Sequence, residues 1–237
     1  MSNAVYAALA RQTGLMNEMQ VVANNLANAS TTGYKSDRAI FAEFVSRAGQ
    51  NMPELSMGGL AGHAFDLEQG GLRFTGGKFD LAIQGDGYFL VETPKGQMLS
   101  RAGHFQLNEQ AELIDSAGNK VLNAGGGAIT VPEDARIISI AGDGTISADG
   151  LIVDQVGVVV PNGELMRESN TMFSAAGGFA QAEEPIVVQG ALEQSNVEPV
   201  LEVARMIEVQ RAYEAGQALI EREDERIAKF ISTLRQL

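Results

Sequence analysis

Two histidines, His63 and His104, and no cysteine stand in this 237-residue chain, which restricts the chemistry it can carry. Neither histidine sits in an HExxH frame, and two isolated imidazoles fall short of the three protein ligands of a catalytic zinc. No nucleophile elbow gives a serine a base and an oxyanion hole. The run DGTISADG, Asp143 to Gly150, has the acidity of a calcium loop. It lacks alternating oxygen ligands closed by a bidentate glutamate, and its flanks read as strands, so paired turns are expected there. The glycine runs GGLRFTGG and NAGGGA lack the Lys-Ser/Thr of a phosphate loop and the strand–helix setting of a dinucleotide site. Carboxylates are plentiful, but no frame singles out an acid and a base. No catalytic residue, metal or cofactor is expected, and the chain does not read as an enzyme.

The residues whose type and spacing are unusual are uncharged. In ANNLANASTTGYKS, residues 23–36, the amides Asn24, Asn25 and Asn28 alternate with Leu26 and Ala27, and Thr32-Gly33-Tyr34-Lys35 follows. Each amide offers two donors and a carbonyl acceptor without a formal charge. Such groups suit a surface buried against another polar surface, where an unpaired ion would be costly. Gly33 is placed to end a helix by taking a left-handed conformation.

Positioning these residues falls to a helix. Val5, Leu9, Gln12, Met16, Met19, Ala23 and Leu26 alternate spacings of four and three, an a/d seam with one polar member. Its opposite face is Ala, Gln, Asn and Thr, an odd composition for a helix meeting water. A second seam closes the chain: Met206, Val209, Tyr213, Gly216, Ile220, Glu223, Ile227, Phe230 and Leu234. Pro199 stands where helix N-termini tolerate proline. The run EREDER, residues 221–226, reads as a solvated face with ion pairs along the helix.

Between the seams the texture changes. Short β-branched or alternating runs are punctuated by GDG, SAGN, GDGT and ADG, in which glycine supplies positive φ for tight turns. Strands roughly every ten residues predict an antiparallel sandwich or barrel-like domain. The fold class is therefore α+β, with N- and C-terminal helices pairing as a coiled-coil-like domain around a central antiparallel β-rich domain. The expected division is residues 1–34 with 197–237 as the helical assembly domain, 35–76 as an extended connecting region, and 77–196 as the β-rich domain.

Charge follows the same three regimes. Residues 1–35 hold only Arg11, Glu18 and Lys35, residues 36–195 carry 21 acidic against 9 basic groups, and residues 196–237 mix 8 acidic with 6 basic. A net charge of −13 opposes a general nucleic-acid partner. No apolar run approaches a membrane span. No basic n-region with an apolar h-region opens the chain, so a cleaved secretory signal is not expected.

The segment ANNLANASTTGYK, closing a helix, resembles the signature of the flagellar basal-body rod family, NNxAN followed by T-x-G-[YF]-[KR]. FDLAIQGDGYFLVETPKGQMLSRAGHFQLNEQAELIDSAGNKVL is similar to that family's shared central β segment, and GALEQSNVEPVLEVARMIEVQRAYEAGQALI to its C-terminal signature. One departure is Ala102-Gly103-His104, where the family more often has Asn/Asp-Gly followed by a small polar residue and Phe. The opening and the tail are most similar to proximal-rod members, with distal-rod or hook-type members as the alternative. The resemblance implies a structural subunit that joins other rod proteins and its own copies, without nucleic acid or membrane insertion. It implies export by the flagellum's own type III apparatus without a cleaved signal, into the periplasmic rod of the basal body. Passage through a narrow channel in a largely unfolded state suits a chain without cysteine. Residues 24–28 and 32–35 are then the assembly motif, with amides bonding between protomers. Leu9, Met16, Met19, Leu26, Met206, Val209, Tyr213, Gly216, Ile220 and Ile227 form the helix seam. A secreted β-rich glycan-binding module would share the central texture but would need neither terminal seam.

Overall fold

The computed structural model describes residues 3–46, 55–132 and 134–235. The chain divides into two compact units, and each draws on separated stretches of sequence. The first comprises residues up to Ala27, Ser36–Asp66 and everything from Val197 onward. The second comprises Asn28–Lys35 and Leu67–Asn196.

In the first unit, helix α1 spans Asn3–Ala27 and helix α2 spans Pro199–Leu234. At 1.5 Å per residue they measure about 37 and 54 Å. Proline opens α2 at a position where its missing N–H has no intrahelical acceptor, and Glu202 lies in the first turn, where a carboxylate opposes the positive end of the helix dipole. The two helices run antiparallel in contact: Gln12 Nε2 donates to the Tyr213 carbonyl at 3.4 Å, and Arg205 pairs with Glu18 at 2.9 Å. Alpha helix α1 also packs against a long antiparallel hairpin of β1 (Asp37–Ser46) and β2 (Leu55–Phe65). The register runs from Asp37 opposite Phe65 to Ser46 opposite Leu55, with one irregularity at Ile40/Phe41.

That hairpin corrects the expectation of an extended connector over 35–76. Asp37–Ser46 and Leu55–Phe65 are paired strands that belong with the helices, whereas Leu67 onward belongs to the β unit. The expected boundary after residue 34 also moves, because Asn28–Lys35 belong to the β unit. Composition separated helix from strand correctly but could not say which strands a helix would recruit.

The two seams are only partly covered. Val209 is buried, and Met19, Leu26, Met206, Tyr213, Gly216 and Ile220 are half-buried. Leu9 (49% exposed), Met16 (44%) and Ile227 (38%) keep between a third and a half of their surface open within this chain. The side chains of Val5 and Leu234 lie outside the described residues. In their place Val21 and Val22 are buried, beside Asp37, Ala39 and Glu202 around a small void. A helix with two partners buries two flanks, and a single heptad stripe cannot describe that.

The second unit is antiparallel throughout, as its turn spacing predicts. The Tyr88–Thr93 strand is the hub of the largest sheet: it pairs with Gly96–Ser100, Lys120–Val121 and Val158–Pro161. A three-stranded meander (Ile138–Ile140, Thr145–Ala148, Leu151–Gln155) and two short pairs, Leu81–Gln84 with Ile186–Gln189 and Leu72–Phe74 with Ala191–Glu193, complete it. Leu81, Ile83, Phe89, Phe105, Ile129 and Ile146 are among its core, with Phe89 and Phe105 edge to face at 5.1 Å. The DGTISADG run forms the turns of the meander. Asp143 accepts hydrogen bonds from the Thr145 N–H and hydroxyl, which holds its carboxyl below the usual carboxylate range.

Candidate assembly site

The motif is shared between the units at the Ala27/Asn28 junction. On the helical side, Asn25 is buried and uses both ends of its amide on one residue. Its Nδ2 donates to the Asp37 carbonyl at 2.8 Å, and its Oδ1 accepts the Asp37 N–H at 2.9 Å. This is the pairing one strand residue offers another, and it pins the start of β1 to α1. The carboxylate of Asp37 meets His63 Nδ1 at 2.9 Å through Oδ2. Asn24 and Ala27 are exposed, and Leu26 is half-buried.

On the β side, residues 28–35 form a turn driven into the sheet. The Asn28 carbonyl accepts the Thr31 N–H at 3.0 Å, while Oδ1 accepts from the Thr31 hydroxyl and from Asn170 Nδ2. Gly33 takes φ +70°, as expected, and donates its N–H to the Glu193 carbonyl at 2.9 Å. A Cβ there would sit 2.3 Å from the Ala102 nitrogen, so glycine is required by space as well as by conformation. Tyr34 is fully buried, with the Arg167 guanidinium 4.5 Å above its ring, and Arg167 Nη2 donates to the Lys35 carbonyl.

Lys35 is the least expected of these residues. Its side chain has no exposure, and Nζ donates to Glu193 Oε1 at 2.7 Å and to the Glu68 carbonyl at 2.6 Å. Glu193, 1% exposed, also receives the Gly70 N–H on Oε1 and Arg101 Nη1 at 3.1 Å on Oε2. Arg101 is itself buried, donates to the carbonyls of Ile83 and Gly85, and lies 5.0 Å from the centre of the Tyr88 ring. Burial pushes the Tyr88 phenol above its ordinary value, an effect that outweighs the opposing charge of Arg101. Two cations thus share one carboxylate, and backbone carbonyls absorb the excess positive charge. A buried ion is tolerated only when so surrounded.

For Asn25 and Asn28 this geometry corrects the expectation that the motif's amides bond between protomers. Asn25 and Asn28 spend their bonds inside the chain. Thr32 and Gly33 likewise belong to an internal turn, with Thr32 half-buried. Sequence reasoning missed Glu193, Arg101 and Arg167, the residues that receive the motif. A signal existed for two of them: Glu193 and Arg101 are lone formal charges inside the otherwise uncharged runs QGALEQ and MLSRAGHF.

Three family models match the chain: flagella basal body rod protein over residues 6–35, flagellar hook protein FlgE/F/G D1 domain over 82–148, and flagellar basal body rod FlgEFG protein C-terminal over 188–234. The flagellar basal-body rod protein FlgF of Caulobacter vibrioides is 35% identical over 229 residues, covering 91% of each chain. FlgF of Mesorhizobium japonicum is 33% identical over 246 residues, covering 99% of this chain and 98% of its own. FlgG of Bacillus subtilis is 30% identical over 264 residues, covering 99% of this chain and all of its own. The buried Lys35–Glu193 pair joins residues of the first and last of the three matched segments. The chain therefore belongs to the flagellar basal-body rod protein family, as a structural subunit rather than an enzyme, with the FlgF type favoured over the FlgG type.

Proposed function

We propose that this protein builds the proximal part of the rod, where repeated copies and neighbouring rod proteins transmit torque across the periplasm. The observation that carries this reading is the apolar surface left on the terminal helices. Leu9 and Met16 on α1, and Val200, Leu201, Ile207, Leu219, Phe230 and Ile231 on α2, are exposed. A monomer rarely keeps so much apolar side chain on two neighbouring elements, and subunit contact would remove it from water. In this reading the helices of adjacent copies pack as a coiled-coil-like wall. Asn24 and the seam residues Leu9, Met16 and Ile227 serve that contact, while Asn25, Asn28 and Gly33–Lys35 hold the chain in the shape that presents it. Delivery by the flagellar type III apparatus, without a cleaved signal, accords with the absence of cysteine. No described helix is long and apolar enough to cross a membrane.

The test is electron microscopy of basal bodies purified from a strain whose copy carries a small tag in an exposed β-unit turn, such as at Gly163. Density for the tag at the inner-membrane end of the rod is the expected result. Density in the distal rod reassigns the protein to the FlgG-like position, and absence from basal bodies overturns the reading.

A further inference from the structure

We propose that the β unit carries a binding cleft for a neutral glycan, separate from any contact made by the helices. A recess of about 610 Å³ opens within the second unit, between the motif turn, the loop at Ala102–His104, and the turns at Asp115–Asn119 and Ser169–Met172. Its walls carry the hydroxyls of Thr32, Ser116, Ser169 and Thr171, while those of Thr31 and Thr75 already donate to Asn28 and Asp80. Apolar atoms of Ala102, Ala117, Met172 and Leu192 share the lining with them, as a sugar's C–H faces require.

The charged groups of the cleft narrow the ligand further. Asp115 is occupied by its own turn, accepting the N–H groups of Ala117 and Asn119 and the Asn119 amide. Asp80 is occupied by the Thr75 hydroxyl at 2.5 Å and by His104 Nδ1 at 2.6 Å. Neither carboxylate is disposed to gather a metal ion, and no described cluster of His, Asp or Glu is. The Asp80 contact holds the His104 ring through Nδ1, and the His104 side chain, 59% exposed, lies at the recess. Arg73 is the one cationic side chain in the wall against two carboxylates, in a protein of net charge −13, so phosphate or uronate polymers are disfavoured. What remains complementary is a ligand dense in neutral donors and acceptors, which a sugar's hydroxyl and acetamido groups supply. With no aromatic ring in the wall to stack on a sugar face, affinity is expected to be weak. Thr32, a motif residue whose side chain the internal bonds above do not use, finds a role at the rim.

The experiment is titration of the full-length protein with tri-N-acetylchitotriose, followed by amide chemical shifts, with a sulfated oligosaccharide of similar length as the charged comparison. Saturable shifts centred on Thr32, Arg73, His104 and Thr171, with a millimolar Kd, are expected. Thr171→Val and Arg73→Ala should each weaken binding about tenfold, the scale of one lost hydrogen bond. Their thermal melts should match the parent, which separates lost binding from lost folding. Absence of saturable shifts with the neutral sugar overturns the proposal. So does tighter binding of the sulfated sugar, or binding that both variants leave intact. A synthetic peptide copying residues 221–235 serves as the polypeptide arm: shifts at the same residues with the peptide and none with the sugar assign the cleft to a neighbouring protein and also overturn it.

Discussion

Glu193 is one carboxylate serving two buried cations, and the consequences of removing each member differ in a way that can be measured. Glu193→Ala leaves Lys35 and Arg101 buried together without a counter-ion, and should cost about 3–5 kcal/mol of β-unit stability. Lys35→Met leaves the Glu193–Arg101 pair balanced, and its loss should be smaller by at least about 1 kcal/mol. Chemical denaturation followed by a probe in the β unit gives both numbers, and equal losses would mean that the lysine, not the carboxylate, organises the cluster. Gly33 makes a second prediction. From the sequence alone, Gly33→Val would be expected to spare the β unit's melting temperature, since the turn reads as a helix stop. With a Cβ only 2.3 Å from Ala102 nitrogen, the same substitution should instead lower that melting temperature by several degrees, because backbone must shift as well as φ.

Helix α1 is held to the hairpin by an amide and by packing, and to α2 by contact along both helices with the Gln12–Tyr213 hydrogen bond and the Glu18–Arg205 pair. Asn25→Asp keeps size but turns the Nδ2 donor into a second acceptor facing the Asp37 carbonyl, beside the Asp37 carboxylate. It should loosen the start of β1, seen as faster hydrogen exchange at Asp37 and Ala39, while exchange in the β-unit core stays unchanged. Unchanged exchange at β1 would show that side-chain packing, not the amide, fixes that register. Enlarging Gly216 should be milder than its seam position suggests. The obstacle to a Cβ is the end of the Gln12 side chain at 2.8 Å, which can swing away, so Gly216→Ala should melt within a degree or two of the parent and Gly216→Leu several degrees lower. Glu223 pairs with Arg226 on its own helix at 2.6 Å, and Glu223→Ala should change stability little because that pair is solvent-screened.

For the whole molecule, stability and assembly should separate. Phe230 is 66% exposed and Leu9 49% exposed, so Phe230→Ser and Leu9→Ser take away far less packing within one chain than a core substitution would. Both variants should melt as the parent does and be exported normally, yet reduce incorporation into basal bodies and swimming. Val209→Asp is the contrast: it places a charge at a buried position between the helices and should impair the isolated protein as well. Normal swimming by the Phe230→Ser and Leu9→Ser strains would show that the exposed apolar surface is not the rod contact.

Local pattern determined much of this protein. The 3.6-residue periodicity flanking a glycine-punctuated middle was enough for two terminal helices around an antiparallel β region, because backbone geometry imposes those periods wherever one face is covered. Pro199 at the first turn of α2 and positive φ at Gly33 were legible for the same reason, being properties of single residues. The amides pointed to burial, and Asn25 and Asn28 are buried. Which surface buries them was decided only by tertiary structure. Partners 12 residues away for Asn25 and 142 for Asn28 leave no periodic trace. The same holds for Lys35 and Glu193, separated by 158 residues, whose pairing depends on how the Leu72–Phe74 and Ala191–Glu193 strands close the sheet. A charge pattern records that an ion is present, but whether it is solvated or enclosed depends on the fold around it.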